Sequence, residues 1–69
     1  MSVIIHKLKA RSLSGKAKTE IAQLVPAVKF FKTIQVPGCG PVLYIQDNQG
    51  TNLGHCYKDG LDLKLSIKQ

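Results

Sequence analysis

Two stretches of alternating character, residues 51–58 and 61–68, meet at the dipeptide Asp59-Gly60. An Asp-Gly pair in that setting favours the two-residue type I′ hairpin, because both central residues of that turn need positive φ. In the second stretch Leu61, Leu63, Leu65 and Ile67 alternate with Asp62, Lys64, Ser66 and Lys68, so the last strand is expected to bury one face and wet the other. A sheet built on this hairpin needs an apolar cover.

The cover is found upstream. Leu13, Ala17, Ile21, Leu24 and Val25 recur at three- and four-residue steps, the apolar stripe of an amphipathic helix. Ser12 or Ser14 stands where an N-cap is needed. Pro26 removes a backbone donor and turns Val25 away from helical angles, so the helix is expected to end there after about three turns. Before it, Val3 to Ala10 reads as a strand, with Ile4, His6, Leu8 and Ala10 on one face and Val3, Ile5, Lys7 and Lys9 on the other. After it, Ala27 to Val36 reads as a second strand, with Val28, Phe30, Ile34 and Val36 in alternation and Phe31 pointing the other way. Pro37-Gly38-Cys39-Gly40-Pro41 ends that strand. Val42 to Gln46 is apolar on both faces at its middle, as a central strand is, and Asp47-Asn48-Gln49-Gly50 is a turn.

The expected fold class is therefore α+β: one N-terminal strand, one helix, then an antiparallel four-stranded β-meander with the helix packed on one sheet face, β-α-β-β-β-β. A chain of 69 residues is read as a single small domain over 1–69, close to the lower limit of a self-sufficient core. The order of elements is similar to that of cystatin-like and monellin-like architectures, and Gln35-Val36-Pro37-Gly38 lies where cystatins carry their inhibitory hairpin. The chain departs from the cystatin signature Gln-x-Val-x-Gly, so the resemblance is one of element order and implies no membership of the family.

Charge is the feature that bears on partners. Lys7, Lys9, Arg11, Lys16, Lys18, Lys29 and Lys32 face Glu20 alone within residues 1–32, whereas residues 33–69 balance, so the whole net charge of +6 falls in the first half. These seven cations are the candidate anion or nucleic-acid binding residues, since a one-sided basic surface attracts phosphate backbones or an acidic protein. Lys16 and Lys18 also fall in the first helical turn, where the helix dipole already disfavours cations. An anion held there with Arg11 would resolve that conflict.

Chemistry beyond charge is sparse. His6, Cys39, His55 and Cys56 lack the paired spacing of a zinc site. Asp47, Asp59 and Asp62 lie in or beside turns, where Asp serves local hydrogen bonding. Around Gly15-Lys16 the phosphate-loop pattern is absent. No catalytic residue, metal or cofactor is expected. Stacking on bases would have to use Tyr44, Tyr57, Phe30 or Phe31, with Phe30 read as core. Val3, Ile5, Phe31, Leu43 and Ile45 are expected to share the face the helix leaves open, a patch suited to a partner or a homodimer.

Three function classes follow. The first is a small non-catalytic module that binds nucleic acid or another phosphate-bearing partner through the basic N-terminal half. The second is a protein-binding inhibitor or accessory protein of phage or mobile-element type that engages an acidic surface. The third is a small ribonuclease or nucleotide-binding protein. The opening residues Met-Ser-Val-Ile-Ile-His-Lys are too short in apolar length for a secretory signal, and no stretch suits a membrane span, so a cytoplasmic location is expected.

Overall fold

The computed structural model describes residues 3–68. Its elements are β1 (Val3–Lys7), α1 (Gly15–Leu24), β2 (Phe30–Val36), β3 (Gly40–Gln46), β4 (Asn52–Asp59) and β5 (Asp62–Lys68). The strands form one antiparallel sheet in the order β1-β5-β4-β3-β2. The expected order of strand, helix and meander is present, with β1 returning to pair with β5 as the fifth strand.

Local chemistry explains the helix ends. The Val25 N–H donates to the Ile21 carbonyl at 2.8 Å, and Val25 itself leaves helical angles at φ −129° and ψ 83°, as a residue preceding proline must. At the other end Ser14 takes the N-cap position in extended conformation, but its side chain makes no capping bond. The helix instead gains support from Glu20. Its carboxylate accepts the backbone N–H groups of Lys9 at 2.8 Å and Ala10 at 3.1 Å, which ties the β1–α1 connection to the helix. The ladder continues past the end of β1, where the Leu8 N–H donates to the Leu63 carbonyl at 2.8 Å.

The core lies between α1 and one face of the sheet. Ala17 and Ile21 from the helix pack with Leu43, Ile45, Cys56, Leu63 and Leu65 from the three central strands, and Leu8 and Val28 close the ends. Cross-strand register shows how this face is assembled: Thr33 pairs with Leu43, Leu43 with Cys56, Cys56 with Leu65, and Leu65 with His6.

That register overturns part of the expected surface. Leu43 and Ile45 are 1 % and 0 % exposed beneath the helix, and Phe31, paired with Ile45, is partly buried against the same core. Of the expected patch only Val3 and Ile5 lie on the open face. Phe30, expected in the core, is 54 % exposed on the open side with Ile34 and Val36. β2 carries adjacent phenylalanines and β3 is apolar on both faces, so alternation within either strand cannot choose a side. The choice comes from β5.

Strand limits also shift: β1 stops at Lys7 rather than Ala10, β2 starts at Phe30 rather than Ala27, and β3 begins at Gly40. The final hairpin forms one residue later than Asp-Gly chemistry suggests. Asp59 pairs with Asp62, leaving Gly60 and Leu61 as the two-residue loop, and positive φ occurs at Gly60 (+65°) but at no non-glycine residue. This is the φ pattern of a type II′ turn, which needs glycine at its first central position only. Leu61 is accordingly 77 % exposed at the tip instead of contributing to the buried row.

Candidate functional site

The face not covered by α1 carries one continuous row across all five strands: Lys32, Tyr44, His55, Ser66 and Ile5, each paired with the next. The neighbouring positions on that face hold Ile34 and Val42 from β2 and β3, then Tyr57, Lys64 and Lys7 from β4, β5 and β1. Strand geometry places these groups together, because side chains two residues apart along a strand share a face and paired residues stand side by side.

At the centre three rings are in contact. The His55 ring lies 5.7 Å from the Tyr44 ring and 5.5 Å from the Tyr57 ring, tilted by 40° and 33°. Both spacings fall in the range of favourable aromatic pairing. The three rings border a depression of about 570 Å³, floored by Val42 and Ser66 and closed at one end by Gly38 and Cys39 from the β2–β3 turn.

Cations frame this centre. Lys32 stands beside Tyr44, and Lys68 lies opposite Val3 at the far edge. Lys64 pairs with Asp59 at 2.7 Å, and Lys7 with Asp62 at 3.7 Å. The hydrogen bond to Asp59, followed by that residue's charge, raises the Lys64 pKa and holds the ammonium protonated. Among the described residues neither Lys32 nor Lys68 has a carboxylate partner.

The seven cations of the N-terminal half do not converge. Lys7 and Lys32 belong to the open face. Lys9 and Lys16 line a second depression beside the start of α1, together with Glu20. A further anion there would enter beside a carboxylate already bound to two backbone N–H groups, which weakens the case for a phosphate at the helix N-terminus. Lys18 places its ammonium 5.8 Å from the Phe31 ring centroid, and Arg11 and Lys29 sit exposed in the connections flanking the helix. His55, Lys64 and Lys68 of the open face come instead from the electrically balanced half. The alternation of β5 already put Lys64, Ser66 and Lys68 on the face away from the buried leucines, a signal that could have found them, although Ser66 is buried there instead of wet.

The two cysteines are free and occupy different environments, Cys39 exposed and Cys56 fully buried. Burial, and secondarily the charge of Glu20, pushes the Cys56 thiol from 9.0 up to about 11. The unfolded chain therefore loses this proton first as pH rises, and the contribution to stability is complete below pH 9 and lost on passing 11. We expect the urea midpoint of the wild type to fall across that window more steeply than that of Cys56→Ala. Parallel curves would mean that Cys56 titrates as in an open chain.

Among the described residues no group of three His, Cys, Asp and Glu side chains is arranged to hold a metal ion, and no helix is long and apolar enough to cross a membrane. Comparison of the chain with protein-family models, curated proteins and solved structures returns no match.

Proposed function

We propose that this chain is a small non-catalytic module that binds single-stranded nucleic acid on the open face of its sheet. The observation that carries this reading is the run of Tyr44, His55 and Tyr57 rings on a surface without helical cover, flanked by Lys32 and Lys68. Stacked bases need exposed π surface and their phosphates need cations, and sheets that combine the two bind single strands with affinities of about 1–3 kcal/mol per stacked base. Duplex DNA hides its base faces, so it would use the cations alone. The net charge of +6 adds long-range attraction for either form.

A fluorescence-anisotropy panel of single-stranded RNA, single-stranded DNA and duplex DNA at about 50 and 200 mM salt tests the reading. Single strands are expected to bind more tightly than duplex and to weaken with salt. The double variant Lys32→Ala/Lys68→Ala should lower the log–log salt slope by roughly 1.4, from two lost contacts at about 0.7 each. Absence of binding at the lower salt would rule the function out.

A second reading rests on Val3 and Ile5 of the edge strand β1, which are 56 % and 55 % exposed on the same face. Such a patch suits an acidic protein target, as for a small inhibitor, or a second copy of the chain. Tight, salt-tolerant capture by one protein would favour it. A ribonuclease acting through paired histidines is disfavoured, since His6 lies on the helix side of the sheet and His55 on the open side.

A further inference from the structure

The depression at the centre of the open face has a chemistry that selects its occupant. Its walls are the rings of Tyr44, His55 and Tyr57, and its floor includes Ser66, which is 8 % exposed. The Ser66 hydroxyl takes part in none of the side-chain hydrogen bonds found among the described residues. An aliphatic side chain seated there would bury that hydroxyl without a partner, which is unfavourable. A flat ring with a polar edge satisfies both the walls and the floor.

We infer that the depression receives one unpaired nucleobase, its face against the tyrosine and histidine rings and its edge hydrogen-bonded to Ser66. This rests on the single-strand reading and deepens it by naming the contact that distinguishes a base from a bare phosphodiester chain. Its volume of about 570 Å³ lies within the span of small-ligand pockets, roughly 300–1,000 Å³. Charge complementarity points the same way, since Lys58 also lines the depression and Lys32 adjoins Tyr44.

Cys39 supplies a built-in reporter, being exposed at the rim of the depression while Cys56 is buried on the other side of the sheet. The experiment measures alkylation of wild-type protein by iodoacetamide, read by intact mass. The probes are oligouridine RNA, oligothymidine DNA and an abasic deoxyoligonucleotide of equal length, with anisotropy recording how much of each is bound. Saturating RNA or DNA with bases should slow Cys39 alkylation about tenfold, and the abasic strand should not. Tyr57→Ala should weaken base-bearing strands about tenfold, within the range expected for one lost stack, while Tyr57→Phe retains binding. Protection by RNA alone, or by DNA alone, would identify which strand supplies the base. Strands that bind without protecting Cys39, or an abasic strand that protects equally, would overturn the base pocket and leave the nucleic-acid reading standing. Failure of every strand to bind would overturn both.

Discussion

Gly54→Ala is expected to leave little folded protein. Gly54 sits on β4 between Ile45 of β3 and Ile67 of β5. A Cβ at this position would collide with the backbone carbonyl oxygen of Ser66 and stand 3.1 Å from the Ile67 Cα. Both obstacles are backbone, so no rotamer change relieves them, and β4 must separate from β5 at the centre of the sheet. Overpacking in a core commonly costs about 1–3 kcal/mol, and a collision between two main chains belongs at or above the top of that range. A domain of this size has a total stability of roughly 3–10 kcal/mol. Urea unfolding followed by far-ultraviolet circular dichroism measures the loss. Gly15→Ala is the matched control, because a Cβ there meets nothing within 4 Å. It should leave stability equal or raise it by up to about 1 kcal/mol. A wild-type midpoint for Gly54→Ala would mean that the strands do not approach as described.

Leu43→Ala and Phe30→Ala should separate just as clearly. Leu43 is 1 % exposed under the helix, and its truncation leaves a cavity worth about 2–5 kcal/mol. Phe30 is 54 % exposed on the open face, so its truncation should cost less than about 1 kcal/mol while weakening single-strand binding. The two measurements together, urea midpoint and anisotropy, report which face of β2 and β3 meets the helix. Equal losses of stability would contradict the facing described above.

The element order, the stop at Pro26 and the hairpin between β4 and β5 were legible because each has a local cause: a missing donor, a helical period, a glycine at a tight turn. The facing of β2 and β3 was not. Phe30-Phe31 and Val42-Leu43-Tyr44-Ile45 offer apolar groups to both sides, so the decision passes through the ladder from Leu65 to Cys56 to Leu43. A single-residue slip anywhere along it would exchange the two faces. The shift of the last loop to Gly60-Leu61 is not such a slip: it moves the pairing by two residues and leaves Leu63 and Leu65 on the buried face. The distribution of lysines over the surface depends on the same ladder. Counting charge along the chain found the excess of cations but not its partition between the open face and the start of α1.

The pairing of β1 with β5 brings Val3 opposite Lys68, so both ends of the described chain leave the sheet side by side at one edge pair. Tension applied through those ends would load the β1–β5 ladder one hydrogen bond at a time, peeling it open from Val3 toward Lys7, instead of straining all its bonds together in shear. The fold is therefore mechanically soft along that axis, and β1 is the element that a pull on the chain removes first.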